Sequence, residues 1–270
     1  MKMVKPSALT LTLAILVAIF LVMPLFAVIP VSFTPKRFLS LPDGEWSLRH
    51  YRALIENPEW LQSALTSISI GVVSALVATG IALLFCIGMW ISQPRYRGLL
   101  TGIALLPMVA PPVVSALTLY FFLITLGKIN SVIAYDAWGG VVLSHAVMIA
   151  PYAVVIITVA LSQVDRRIDL AARGMGATLT QRVVRVILPN IKFGIASALL
   201  MTFILSWEEI GVSLFVTSVN VVTLPRLMWM GLRDNIDPAI AAVSVVLIFL
   251  VVVVIVTKTL WGYRRSNGSV

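Results

Sequence analysis

Charge is what this sequence is shortest of. Of its 270 residues, 11% are Asp, Glu, Lys or Arg and 60% are hydrophobic, where a soluble globular chain carries about 25% charged residues. The shortage excludes an ordinary water-soluble domain. It leaves a polytopic membrane protein whose length is taken up by membrane spans, with no separate soluble domain. Cysteine is nearly absent: the single residue, Cys86, lies inside an apolar run. That excludes a disulfide framework and a thiolate metal cluster. No second His or Cys stands near His145 in sequence, so no metal site and no cofactor is expected. A phosphate-binding loop of the form G-x-x-x-x-G-K-[ST] is missing, because Gly127-Lys128 lacks the first glycine and is followed by Ile129. The chain therefore does not hydrolyse ATP by that device. There is no H-E-x-x-H, no nucleophile elbow and no carboxylate pair on a polar loop. Nothing points to an enzyme, and no catalytic residue is assigned.

What is present is a series of apolar runs, each near the roughly 20 residues that cross a bilayer core. They predict an all-α membrane protein with six transmembrane helices, at about 8–33, 61–91, 99–126, 139–161, 193–217 and 239–261. The first run is longer than the apolar core of a secretory signal and reads as an uncleaved span. Small residues recur along the second: Ser67, Gly71, Ser74, Ala75, Ala78, Gly80 and Ala82. Such faces let membrane helices approach closely. Pro107 and Pro111-Pro112 interrupt the third, either as a simple kink or as a broken helix beside a translocation path. Between the first two spans, Ser47 is a candidate N-cap for a short helix through Glu56, with Leu48, Tyr51, Leu54 and Ile55 on one face.

The run that cannot sit in a membrane is Leu170 to Pro189, within a polar segment over 162–192. It carries Arg173, Arg182 and Arg185, with Arg166, Arg167 and Asp169 just before it. Ala171-Ala172 suits a helix, and Gly176 can end it in a left-handed turn. Thr178 followed by Gln181 reads as a capping box opening a second helix, which runs to Pro189. The segment is either an ordinary amphipathic loop or a helix-turn-helix knob presented between two spans.

Its spacing resembles the "EAA" loop of permease subunits of bacterial ABC importers. That pattern is Glu-Ala-Ala, three residues, Gly, nine residues, Ile, one residue, Leu-Pro. Here Leu170, Ala171, Ala172, Gly176, Val186, Leu188 and Pro189 stand at the matching positions. Leu170 replaces the Glu, with Asp169 one step earlier, and Val186 replaces the Ile. The stretches SFTPKRF to SLRHYRALIENPEW, SWEEIGVSLF and TLPRLMWMGLRDNID are similar to the spermidine/putrescine-type branch. The resemblance implies a type I importer permease, a single transmembrane domain over residues 1–270 with a cytoplasmic coupling loop. It further implies docking of that loop on an ABC ATPase, a second, related permease and a periplasmic substrate-binding protein as partners, and alternating access.

Charge placement sets the expected orientation. Thirteen of the twenty basic residues fall on the side of the termini and of segment 162–192, against the carboxylates Asp165 and Asp169. By the positive-inside rule that side is cytoplasmic. The net charge of +9 is thereby topology, not a nucleic-acid footprint, and the expected location is the bacterial inner membrane.

Glu208-Glu209 is the one charged pair deep in a predicted span. A carboxylate at the bilayer centre costs at least ~2.5 kcal/mol on insertion scales, so it faces a path, water or a partner. With Trp207 as a cation–π surface and Pro111-Pro112, the pair is the candidate path for a cationic solute; the alternative is a purely structural carboxylate. His145 reads as a hydrogen-bonded structural residue or as a proton relay. The latter belongs to a rival reading, a secondary transporter driven by an ion gradient. Arg226, Arg233 and Asp234, before the last span, form either a docking edge for the binding protein or a solvated loop.

Overall fold

The structure is a computed structural model that describes residues 7–234 and 237–267. Lys2 and Lys5, and the side chains of Asp234, Arg264 and Arg265, lie outside the described residues. All regular structure in that range is helical. Four helices are long and apolar enough to cross a membrane, or six when two bent pairs, Arg97–Val109 with Pro112–Gly127 and Leu179–Asn190 with Lys192–Glu208, each count as one span. The chain divides into two compact units, residues 1–61 with 228–270, and residues 62–227.

In the first unit, α1 (Ala8–Ser32) starts where the Ser7 hydroxyl accepts from Thr10 N–H. It meets the last helix, α13 (Ala239–Asn267), which α2 (Arg49–Glu56) also contacts. Ser47 is not the N-cap of α2: Leu48 holds that position. Ser47 acts from one residue further out, accepting from Arg49 N–H at 3.1 Å, while its own N–H donates to the Phe33 carbonyl at 2.8 Å. The predicted apolar face divides between neighbours, at Tyr51 and Leu54, and the surface. His50 is buried against the Lys36 carbonyl, at 3.1 Å, and Tyr51 bonds Ser32 at 2.7 Å, while Leu48 and Ile55 stay exposed.

In the second unit, α3 (Pro58–Ser92) buries the small-residue stripe as expected, except Gly80, which faces open space. The Phe203 ring lies over Gly71, so close that an added Cβ would meet it at 3.1 Å. Hydroxyls on the stripe bond outward, Ser74 to the Val142 carbonyl at 3.1 Å and Thr79 to Thr202 at 3.3 Å. These bonds replace the water that a membrane interior lacks. The fourth span, α6 (Trp138–Ser162), is the hub of this unit.

Two predicted spans are broken. The third becomes α4 (Arg97–Val109) and α5 (Pro112–Gly127), bent by 97° across Ala110 and Pro111. The fifth, predicted as continuous over 193–217, is instead α10 (Lys192–Glu208) and α11 (Gly211–Val216). The 17 residues of α10 rise only about 25 Å, short of a core about 30 Å thick.

Candidate functional site

The polar segment between α6 and α10 folds as the helix-turn-helix its sequence implies. Asp165 caps α7 (Arg166–Gly174) by accepting from Arg167 N–H at 2.9 Å. Gly176 takes φ +80°, the left-handed conformation that ends α7. The capping box is present: Thr178 N–H donates to Gln181 Oε1 at 2.9 Å, and Gln181 N–H donates to Thr178 Oγ at 3.3 Å. It opens α8 (Leu179–Arg182). The second helix then widens into a π-helical turn, Val183–Ile187, before α9 (Leu188–Asn190), so it is not the uniform α-helix expected.

One contact that no local rule predicts holds the two arms together, and another ties their root to α6. Asp169 takes both hydrogen bonds from one guanidinium, Arg182 Nε at 2.8 Å and Nη2 at 2.6 Å. Bidentate geometry of this kind fixes orientation as well as charge. The Arg182 hydrogen bond, against an opposing push from burial, holds the Asp169 carboxyl below its ordinary range. At the root, Ile187 and Ile191 are buried with Ile157 and Leu161 of α6. The root of the knob is thereby packed on the fourth span.

The signature residues separate by role. Ala172 is buried, Val186 and Leu188 are half-buried near the root, and Gly176 makes the turn; Ala171 and Pro189 are exposed. Leu170 is 61% exposed, and Met175, Leu179 and Val184 are exposed with it. The loop thus closes its carboxylate inward and turns apolar side chains outward.

The second candidate region is where the broken spans meet. A Cβ placed on Gly211 would lie 3.3 Å from Glu209 Oε1 and 3.9 Å from Pro112 Cβ, so the two breaks adjoin. Glu209 Oε1 accepts from Val212 N–H at 2.8 Å, standing in for the backbone carbonyl that a continuous helix would supply. Glu208 is exposed and Glu209 half-buried; Pro111 and Pro112 are exposed. Trp207 leans on Phe203, ring centroids 6.3 Å apart.

His145 reaches this break from α6. Its Nδ1 lies 2.8 Å from Ser206 Oγ on α10, and its Nε2 lies 3.0 Å from Ser213 Oγ on α11. Ser213 commits its proton to the Glu209 carbonyl at 2.9 Å, so it accepts from Nε2–H and Ser206 donates to Nδ1. Both ring nitrogens are engaged, and the ring bridges the two halves of the broken span. Sequence reading separated His145 from Glu209 because Ser206 and Ser213 give no local sign of a histidine partner.

A third cluster was not read from sequence. Asp136, in the loop before α6, has φ +55°. Its carboxylate accepts from the N–H groups of Ser218, Val219, Asn220 and Val221 at 2.6–3.2 Å, and from the Asn220 amide. Burial pushes its pKa up, but the four backbone donors outweigh that and hold it low. Arg226 turns toward the same loop, donating to Thr217 Oγ and to the Val221 carbonyl. It belongs to the loop's internal packing.

Comparison with known proteins follows this geometry. Residues 85–262 match the family model described as binding-protein-dependent transport system inner membrane component. The chain is similar to the spermidine/putrescine transport system permease protein PotC of Escherichia coli (strain K12), 26% identical over 250 residues that cover 93% of this chain and 92% of that one. It is 33% identical over 182 residues to a probable molybdenum ABC transporter permease protein of Haloferax volcanii, covering 65% and 67% of the two chains. Among solved structures it resembles a bacterial ABC transporter involved in the import of the acidic polysaccharide alginate, with a TM-score of 0.71 at 18% identity, over 96% of this chain and 94% of the other.

Proposed function

The chain belongs to the family of binding-protein-dependent transport system inner membrane components, and from that membership we propose that it is the permease subunit of an ABC importer for a polyamine or a related cationic solute. A periplasmic binding protein delivers the solute. A second permease chain completes the path, and ABC ATPase subunits dock on the loop over 162–192. Both termini and that loop face the cytoplasm. Closure of the ATPases draws the loops together, and the spans rotate from outward-open to inward-open.

The observation that carries this reading is the loop itself. Its Asp169–Arg182 pair and Thr178–Gln181 box are satisfied within it, while Leu170, Met175 and Leu179 face outward among the exposed Arg166, Arg167, Arg173 and Arg185. An exposed apolar patch on a rigid mount is what a protein partner buries. For the substrate, the path residues favour a cation over the oxyanion or polyanion that some relatives' names suggest. Glu208 is exposed beside the breaks at Pro112 and Glu209, and no Lys or Arg occurs in α10 beyond Lys192 or in α11. A carboxylate in a low-dielectric path attracts cations and repels anions.

The test is purification of the complex in detergent from its native host. An ATPase that co-purifies, and is lost when residues 170–189 are deleted, supports the reading. A chain that purifies alone, with no ATP hydrolysis, overturns it. The co-purifying binding protein is then titrated with putrescine, spermidine and molybdate; tight binding of molybdate alone removes the cationic assignment.

A further inference from the structure

A cavity of about 740 Å³ opens among the loop-side ends of α3, α4 and α6, away from the adjoining breaks. Its wall is mostly apolar, as at Phe85, Leu105 and Leu161, with a few hydroxyls between, and its rim carries Gln93, Arg97 and Arg166. No carboxylate lines it. Among the described residues neither guanidinium has an ion-pair partner. Arg166 is held in place: it donates to the Trp90 carbonyl at 3.2 Å and stands 5.2 Å above the Trp90 ring. That contact leaves most of its five donors free. The volume lies in the range of about 300–1,000 Å³ typical of small-molecule sites.

Three properties constrain the occupant. The wall excludes a fully hydrated ion, because apolar surface gains nothing from water. The two arginines demand negative charge, which a guanidinium takes best from phosphate. The mouth sits where Trp90 and basic residues mark the membrane–water boundary. An amphiphile with an anionic head and an apolar tail satisfies all three. We propose that this cavity binds an anionic phospholipid, with its phosphate on Arg97 and Arg166 and the upper part of an acyl chain along Phe85, Leu105 and Leu161. The leaflet it comes from, the cytoplasmic one, rests on the orientation proposed above. Arg97 begins the third span and Arg166 begins the coupling loop, so the bound headgroup ties the start of one to the root of the other.

The experiment uses the purified full chain in detergent micelles containing either phosphatidylglycerol or phosphatidylcholine, with retained lipid counted by native mass spectrometry. Phosphatidylglycerol is retained preferentially. Arg97→Gln and Arg166→Gln each weaken retention about five-fold, and together about twenty-five-fold. Gly102→Phe, at a position where an added Cβ meets nothing within 4 Å, fills the cavity and removes retention without changing charge. Gly102→Leu, a smaller filler, does so in part, and both variants are checked for a single symmetric gel-filtration peak. Lys128→Gln, in the loop after α5, changes nothing. Equal retention of the two lipids, or phosphatidylglycerol retention that survives both fillers, overturns the proposal. So does inorganic phosphate at millimolar concentration displacing the lipid completely, which marks a plain anion site. Sidedness is read separately, by labelling Arg185→Cys with a membrane-impermeant maleimide in oriented vesicles. Labelling from the periplasmic face overturns the orientation and the leaflet, while the detergent result decides the site.

Discussion

Two carboxylates lie near two helix interruptions, Asp169 within α7 of the loop over 162–192 and Glu209 at the break in the fifth span, and they do opposite things. Asp169 gives both oxygens to one guanidinium from the facing arm. The two arms become one unit, whose outward face sets apolar side chains among the exposed Arg166, Arg167, Arg173 and Arg185. Glu209 gives one oxygen to the N–H that opens α11; its other oxygen has no hydrogen-bond partner among the described residues, and Glu208 beside it is exposed. One carboxylate is hidden in an ion pair beneath the face proposed to dock. The other stays at an opening. In a chain with so little charge, where each carboxylate points separates the part proposed to meet protein from the part proposed to meet solute.

The comparison breaks most severely at His145, which bridges the two halves of the broken span. His145→Ala removes a buried ring and both its hydrogen bonds, and is expected to destabilise by about 3–5 kcal/mol. Thermal unfolding in detergent measures this, and ATPase capture by the loop in whatever protein remains folded is expected to be unchanged. Leu170→Asp attacks the loop instead. A charge placed in a desolvated contact costs about 2 kcal/mol or more, so ATP hydrolysis by the reconstituted complex is expected to fall about thirty-fold. Wild-type hydrolysis in that variant would show that the face does not dock. Glu208→Gln and Glu209→Gln sharpen the other half: KM for a cationic solute is expected to rise about ten-fold, the equivalent of about 1.4 kcal/mol, and an unchanged KM in both would make the pair structural. Thr178→Ala removes one side of the capping box and is expected to cost about 1 kcal/mol, read as faster proteolysis at the Met175–Ala177 turn.

Acid gives the smallest effect at neutral pH and the cleanest sign. The folded pKa of Asp169 is depressed, so the stability its ion pair lends is fully present above the unfolded value of about 3.9. It is lost as pH falls through the lower folded value. Protease resistance of the loop is therefore expected to hold from pH 7 to about pH 5 and to drop below about pH 4. Asp169→Asn is expected to remove that pH dependence. A loop that loosens between pH 7 and 5 would contradict it.

Much of the loop was legible because its rules are local. Thr178 and Gln181 sit three residues apart, and Gly176 needs no partner to adopt a positive φ. The Asp169–Arg182 pair spans thirteen residues and forms only after the turn has brought the arms together. The same distinction divides the two broken spans. Pro111-Pro112 announces its break, because proline has no N–H to offer. The break at Glu209 has no proline, and hydropathy runs through it. Its cause is a side chain replacing a carbonyl, together with a histidine 61 residues away that holds Ser206. The π-turn at Val183–Ile187 likewise has no composition of its own; it lies where the root of the loop must bury Ile187 and Ile191 against α6.

Asp136 delays the closing of its own loop until the fifth span has been made. Its four backbone donors begin at Ser218, 82 residues further along the chain. At about 5–20 residues per second, synthesis reaches them about 4–16 s after Asp136 emerges. Until then the loop before α6 has its acceptor and no donors, and the fifth span must enter the bilayer before that loop can close. Contacts of such long range are slow to form. A chain stalled after the fourth span would keep the loop before α6 open, its Asp136 carboxylate hydrated by water in place of the four N–H groups still to be made.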